Sequence, residues 1–132
     1  MKTITIKNTR GILIGTQIKC IDNTGAKKLN VIAVKGFRGV KNRIPSAGIG
    51  SVIICSVVAG KQKIMHEVVK AVVVRLKKPY LRHNGVHVRF EDNAAVIVDD
   101  KYEPKGKEIK SVVAKEAIER FPVIGKIARV VV

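Results

Sequence analysis

The chain has 132 residues, a length that fits one domain with one core. Its apolar fraction of 46% argues against disorder throughout, and no apolar run approaches the roughly 18–20 residues of a membrane-spanning helix. The net charge is +16, from 26 Lys and Arg against 10 Asp and Glu, and such an excess favours an anionic partner: nucleic acid, an anionic membrane or an acidic protein.

The positive charge is unevenly distributed along the chain. Residues 1–90 contain 18 Lys and Arg but only two acids, Asp22 and Glu67, whereas residues 91–132 contain eight of each sign. The whole excess therefore lies in the first 90 residues, and the final segment has a balanced composition that suits protein contact or plain solvent exposure.

Gly and Pro divide the chain into short runs rich in Val and Ile, which are typical of strands. Five strands are predicted in chain order, at residues 17–22, 29–35, 51–58, 68–76 and 94–98. The fourth is long and apolar enough to be buried on both faces. Asn84-Gly85 predicts a small hairpin between residues 80–83 and 86–90. Strands joined by turns, without alternating helices, predict an all-β fold built on an antiparallel barrel.

In the C-terminal segment the apolar residues recur with the period of a helix. Residues 111–121 are predicted as a helix, with Ser111 as its cap and Pro122 just beyond its last turn. The apolar positions recur at i, i+4 and i+8, at Val113, Ala117 and Phe121. Residues 123–131 are predicted as a second short helix or a turn. We therefore expect one domain in which residues 1–102 form the barrel with basic loops and residues 103–132 form a C-terminal helical appendage that packs on it.

Residues 35–51 (KGFRGVKNRIPSAGIGS) are the most informative segment for function. They contain four Gly and one Pro and no acid, which predicts a long loop rather than a strand pair. Glycine lets backbone approach another surface closely, while Arg and Lys donate to phosphate oxygens, Arg as a two-pronged fork. We interpret this loop as a phosphate-binding element. A solvated basic loop is the alternative.

The predicted RNA-binding residues lie in this loop and in three other loops or turns, although spacing alone does not say at which rim of a barrel each would lie. They are Lys35, Arg38, Lys41 and Arg43 of the basic loop, Arg75, Lys77, Lys78, Arg82 and Arg89 after the fourth strand, Lys61 and Lys63 before it, and Lys27 and Lys28 in the first turn. The chain has only five aromatic residues, too few for a track on which single-stranded bases stack. We therefore expect recognition of folded, A-form RNA through phosphates and 2′-hydroxyls.

Catalytic, metal and cofactor sites are not predicted. His83 and His87 have a spacing that suits a metal on a helix, but Asn84-Gly85 turns the chain between them. Cys20 and Cys55 lie in strand-like runs and are read as buried, reduced thiols of a cytoplasmic protein. The sequence leaves three other roles open: a free-standing RNA- or DNA-binding barrel, an enzyme that uses the histidines, and a membrane-surface protein, which lacks the expected basic amphipathic helix.

Residues 70–98 (KAVVVRLKKPYLRHNGVHVRFEDNAAVIV) resemble the large-subunit ribosomal protein L-fourteen family. Residues 20–28 (CIDNTGAKK) are similar to the first strand and turn of the family, and residues 35–51 to its basic loop. Residues 113–122 (VAKEAIERFP) resemble the tail of its archaeal and eukaryotic branch. The resemblance covers about residues 12–128. The chain departs from the family pattern at Ser51, where an acid is usual, and at Lys110-Ser111, where Gly-Pro is usual.

The resemblance implies a five-stranded closed barrel with a C-terminal helical appendage, in a protein of the cytoplasmic ribosome. It implies RNA contacts from the basic residues of segments 35–43 and 75–82. The implied partners are large-subunit rRNA, small-subunit rRNA at intersubunit bridges, the neighbouring ribosomal proteins L-three and L-twenty-four-e, and an anti-association factor. Neither a membrane nor a small-molecule substrate is expected.

Overall fold

The computed structural model describes residues 1–4, 6–7 and 9–132, and within them the chain forms eleven strands and two α-helices. The strands are β1 (Arg10–Leu13), β2 (Gln17–Cys20), β3 (Ala26–Val34), β4 (Ser46–Gly48), β5 (Val52–Gly60), β6 (Val68–Arg75), β7 (Tyr80–Leu81), β8 (His87–Val88), β9 (Ala94–Val98), β10 (Ile109–Val113) and β11 (Ala128–Val131). The helices are α1 (Lys115–Arg120) and α2 (Pro122–Ile127), and a 3₁₀ turn covers Gln62–Ile64.

Strands β2, β3, β5, β6 and β9 form a closed barrel in that order, as predicted. Four neighbouring pairs are antiparallel, but the closing pair, β2 and β9, is parallel, with Lys19 opposite Ala94 and Cys20 opposite Ala95. An odd number of alternating strands brings its first and last members together in the same direction. The closing pair therefore differs from the fully antiparallel barrel that was predicted.

Two hydrophobic clusters explain why β6 is buried on both faces. Ala71 and Val73 point into the barrel and pack with Ile53 and Ile97, whereas Val72 and its same-face neighbours lie outside it, under the C-terminal segment. Residues on successive positions of a strand face opposite sides. The continuous apolar run therefore predicted this burial correctly. β3 begins at Ala26, earlier than predicted, and its pairing with β5 is irregular around Lys28, where two consecutive lysines are exposed.

Cys20 and Cys55 are free thiols in the barrel wall. Burial raises the pKa of Cys55 to about 12. Burial, and then the negative charge of Asp22, raise the pKa of Cys20 to about 12. Both side chains therefore remain protonated at neutral pH, which makes them poor nucleophiles.

The hairpin of β7 and β8 confirms the Asn84-Gly85 prediction, but the predicted helix over residues 111–121 is wrong in its first half. Residues Ile109–Val113 form β10, which pairs in parallel with β11, and α1 begins only at Lys115. Ala114 occupies the N-cap position and makes no side-chain cap, so Ser111 does not cap the helix. Pro122 is the first residue of α2 rather than a terminator.

The apolar stripe of the C-terminal segment is nevertheless buried on the barrel. Val113, Ala117 and Phe121 pack with residues of β6 and β9 in the outer cluster. In this way β10, α1 and α2 cover the outside of the barrel wall, as the appendage was predicted to do. In the described part of the chain, no helix is long and apolar enough to cross a bilayer.

Candidate nucleic-acid interface

The directions of the barrel strands assign the basic segments to rims. β3 and β6 end at the rim where β2, β5 and β9 begin. The basic loop follows β3, and the segment that carries the β7–β8 hairpin, called the hairpin segment below, follows β6. Both segments therefore emerge at this rim. Lys61 and Lys63 lie at the opposite rim, between β5 and β6. Lys27 and Lys28 are part of β3 near that opposite rim, rather than in the turn before it.

The basic loop is shorter than predicted because its last residues pair with another strand. Residues Ser46–Gly48 form β4, antiparallel to β1, so the prediction of an unpaired loop over residues 35–51 is wrong at this end. The part that remains a loop carries Arg38, Lys41 and Arg43, and all three side chains are exposed.

Contacts between distant segments join the cations of this rim into one surface. The Arg10 guanidinium carbon lies 5.6 Å from the centroid of the Phe37 ring, a cation–π distance. The Lys78 ammonium donates a hydrogen bond to the Arg10 carbonyl at 3.4 Å. We call the resulting area the rim surface; its cations are Arg10, Lys35, Arg38, Lys41, Arg43, Lys77 and Lys78.

Lys35, the first residue of the basic loop, is oriented by the C-terminal part of the chain. Its ammonium donates to the Tyr102 hydroxyl and lies 4.8 Å from the centroid of that ring. The Tyr102 ring in turn lies 5.8 Å from the Phe121 ring, centroid to centroid. The base of the basic loop is therefore held in place against the appendage.

Two of the predicted RNA-binding residues have partners within the chain. Arg75 is 12% exposed, its Nε lies 3.1 Å from Asp92 Oδ1, and it also donates to the Ser111 hydroxyl. Arg82 is 18% exposed, and its Nε lies 2.6 Å from Oε1 of Glu116, which is itself buried. The hydrogen bond to Glu116 raises the pKa of Arg82. Both guanidiniums are thus engaged inside the fold.

The remaining predicted residues are exposed. None of them has a carboxylate within ion-pair distance among the residues that the structure describes. They are Lys27, Lys28, Lys35, Arg38, Lys41, Arg43, Lys61, Lys63, Lys77, Lys78 and Arg89. Lys28 and Lys77 line one groove of about 310 Å³ together with Lys19, but Glu91 and Asp92 also line it.

The five aromatic rings are poorly placed for stacking on bases. Tyr80 and Phe121 are buried, and Phe37, Phe90 and Tyr102 are half-buried. Base stacking requires an accessible ring face, so the surface is suited to contacts with an RNA backbone rather than with unpaired bases. His83 and His87 lie exposed at the hairpin, and the described residues contain no cluster of three or more His, Cys, Asp or Glu that could hold a metal.

Comparison with known families decides what kind of protein carries this surface. Residues 11–132 match the family model described as "Ribosomal protein L14p/L23e". The chain belongs to this ribosomal protein family. Three relatives share the printed name "Large ribosomal subunit protein uL14". They are the protein of Halorubrum lacusprofundi, 49% identical over the whole of both chains, that of Methanothrix thermoacetophila, 49% identical over 96% of both, and that of Thermoplasma acidophilum, 48% identical over the whole of both.

Membership of the L14p/L23e family confirms the resemblance seen in the sequence. It makes the chain a structural protein of the cytoplasmic ribosome rather than an enzyme, so the histidine-based alternative is set aside.

Three cations were missed in the sequence: Arg10, which belongs to the rim surface, and Lys19 and Arg120, which lie beside it. Arg10 is isolated among neutral residues, and its place at the rim comes from pairing between β1 and β4, which are far apart in the chain. Lys19 lies opposite Lys28 in the β2–β3 pair, a register that alternation in β2 could have suggested. Arg120 was assigned to the balanced tail, and no local signal places it beside the basic loop.

Proposed function

We propose that the chain is a structural constituent of the large ribosomal subunit that binds large-subunit rRNA through the rim surface. The observation that carries the proposal is the exposed group of Arg38, Lys41 and Arg43, without carboxylate partners in the described chain, on a loop anchored to a closed barrel. A rigid scaffold limits the conformational entropy lost on binding. Positive charge without internal partners is neutralised well by a phosphate backbone.

Recognition of shape and backbone is the mode that the surface supports. A-form RNA presents phosphates and 2′-hydroxyls across a wide minor groove, and side chains cannot read its deep major groove. If about eight Lys and Arg meet phosphates, the logarithmic dependence of affinity on salt should have a slope of roughly −6 to −7. The RNA-binding proposal rests on the exposed cations. Arg75 and Arg82 contribute mainly by holding the hairpin segment in place.

The finer partners are proposed on the strength of family membership. They are small-subunit rRNA at intersubunit bridges, the ribosomal proteins L-three and L-twenty-four-e, and an anti-association factor. The balanced C-terminal segment, where Val130 and Val131 are exposed on β11, offers the surface for protein neighbours. Crosslinking within assembled ribosomes tests these partners, and finding β11 crosslinked only to rRNA would contradict the protein assignment.

Replacing Arg38 or Lys41 with Gln should weaken binding to large-subunit rRNA and reduce the magnitude of the salt slope by about one each. The free energy of unfolding should change by less than about 0.5 kcal/mol, because both side chains are exposed. Filter binding across a salt series measures the slope, and denaturant titration measures stability. Lys107→Gln is the matched control, an exposed cation away from the rim surface. Equal loss in the control would contradict a specific rim surface.

The charge and exposure of the rim surface would also suit a free-standing RNA- or DNA-binding barrel, but membership of the ribosomal protein family favours the ribosomal role. Gradient sedimentation of cell extract separates the two. We expect the protein in the large-subunit peak, and its presence only in the free-protein fractions would exclude the ribosomal role.

A further inference from the structure

A pocket of about 370 Å³ lies at the base of the basic loop, where β1, β4 and the end of α1 meet. Its lining includes the cations Arg10, Lys35 and Arg120 and the residues Ser46 and Ser51. An adjoining pocket of about 250 Å³ shares Lys35, Ser51 and Arg120. We call the first of these the three-cation pocket.

The charge of the three-cation pocket has one sign. Among the described residues, no Asp or Glu lines it. The groove beside Lys77 differs, because Glu91 and Asp92 line it together with its lysines. Three like charges around one pocket repel one another, and an anion between them would reverse the sign of that interaction.

Arg120 is held in place while part of its hydrogen-bonding capacity stays unused. Its Nε is buried and has no hydrogen-bond partner within the described chain, whereas Nε of Arg75 has the Asp92 carboxylate at 3.1 Å. The guanidinium carbon of Arg120 lies 5.9 Å from the centroid of the Phe121 ring. Its side chain also passes close to Gly50, where an added Cβ would lie 3.5 Å from Arg120 Cδ. A buried donor without a partner is uncommon in folded proteins.

The other two cations are also pre-positioned. Arg10 lies over the Phe37 ring, and the Lys35 ammonium is bonded to Tyr102, which leaves two of its three donors for other acceptors. Stacking and hydrogen bonding therefore fix where the cations stand before any ligand arrives, which lowers the entropy lost on binding.

We propose that the three-cation pocket binds a single backbone phosphate of the RNA, an inference that rests on the proposed function. A phosphodiester carries one negative charge on two non-bridging oxygens, which suits a guanidinium fork together with an ammonium. Arg10 and Lys35 belong both to the pocket and to the rim surface, so an RNA strand that lies along the basic loop reaches the pocket without a break.

Arg120→Gln tests the pocket by removing the charge while keeping most of the side-chain volume. We expect the affinity for large-subunit rRNA to fall about tenfold at moderate salt and the salt slope to lose about one in magnitude. Lys126→Gln is the matched control, an exposed cation in the next helix outside the pocket, and it should change affinity less than about twofold. Equal losses in the two variants would overturn the proposal, because the effect would then be one of general charge.

Nitrogen-15 spectra of the arginine Nε–H groups give a direct readout of the ligand. Adding a large-subunit rRNA fragment should shift the Arg120 signal, because a phosphate beside the guanidinium changes the electrostatic environment of the whole group. Inorganic phosphate at millimolar concentration is the second arm. A shift with inorganic phosphate but none with RNA would overturn the RNA assignment in favour of a free-anion site.

Ser51→Asp gives a reciprocal test, since it adds a carboxylate to the lining. RNA affinity should fall as in Arg120→Gln, while the thermal midpoint should stay unchanged or rise because the new carboxylate pairs with the pocket cations. Failure of the wild-type protein to bind rRNA would defeat the proposed function itself. Wild-type binding that Arg120→Gln and Ser51→Asp both leave intact would defeat only the pocket.

Discussion

Glu116→Ala should lower the free energy of unfolding by about 3–5 kcal/mol, the cost of removing one partner from a buried ion pair. The Glu116 side chain is 3% exposed. Its carboxylate accepts hydrogen bonds from the Tyr80 hydroxyl at 2.7 Å and from Arg82 Nε at 2.6 Å. Arg82 also donates to the carbonyl oxygen of Val132 at 2.8 Å. Removing the carboxylate leaves a half-buried guanidinium and a buried phenol with lost partners.

The environment of Tyr80 shows that its contact with Glu116 lies inside the fold. Burial, and next the hydrogen bond to Glu116, raise the pKa of Tyr80, so the phenol stays a donor at any pH near neutrality. The contact ties β7 to α1 and to the end of the chain, and in this way it sets where the hairpin stands beside the rim surface.

Urea unfolding of Glu116→Ala measures this stabilisation, with Glu103→Ala, an exposed acid, as the control that should change stability by less than about 0.5 kcal/mol. A double variant in which Glu116→Leu accompanies Arg82→Met should recover part of the loss, because no charge is left unpaired. Equal effects of Glu116→Ala and the control would show that the pair contributes nothing.

Asp22→Ala should cost about 2–4 kcal/mol of unfolding free energy, combining lost charge-assisted hydrogen bonds with a stranded backbone donor. Asp22 Oδ2 accepts from the Ile97 N–H at 2.8 Å, and Oδ1 accepts from the Thr24 N–H and the Cys20 thiol, each at 3.2 Å. Ile97 is fully buried. Its N–H would therefore lose a partner that water cannot readily replace.

The position of Asp22 explains why this one side chain contributes so much to the free energy of unfolding. The parallel β2–β9 ladder is short, with two paired positions, and the Asp22 carboxylate extends it to Ile97. Asp99→Ala is the control, since Asp99 is exposed and its ion pair with Lys105 is long at 3.8 Å. Thermal unfolding should separate the two variants clearly. A midpoint for Asp22→Ala that matches Asp99→Ala would mean that the barrel closes without this carboxylate.

The barrel could be predicted from the sequence because its strands are local patterns. The Val-rich run of β6 is apolar at successive positions, and only burial on two faces accounts for that. The Asn84-Gly85 turn likewise carries its own geometry, with Gly85 at a φ of 86°. The exposed cations of the basic loop were predictable for the same reason, since the segment contains its own charge excess and no acid.

Features that depend on distant partners were not predictable in this way. The apolar pattern around Val112 and Val113 is compatible with a helix and with a strand. These residues form a strand because they pair with β11. Arg82 and Glu116 are 34 positions apart, so the engagement of Arg82 inside the fold has no local signal. The same holds for the approach of Arg120 to Lys35, which requires the appendage to fold back on the barrel. The division of the chain at residue 102 stays a prediction.

The parallel closing pair has a consequence for synthesis of the chain. Asp22 and Ile97 meet although they are 75 positions apart, and at roughly 5–20 residues per second the barrel waits about 4–15 s for its last strand to emerge. Until β9 emerges, the edge of β2 has no partner, and neither does the edge of β6 once that strand has been made. Unpaired strand edges are surfaces through which nascent chains aggregate. The first 90 residues already carry the full excess of +16 by then. We expect mutual repulsion between unfinished copies to reduce their aggregation while these strand edges have no partner.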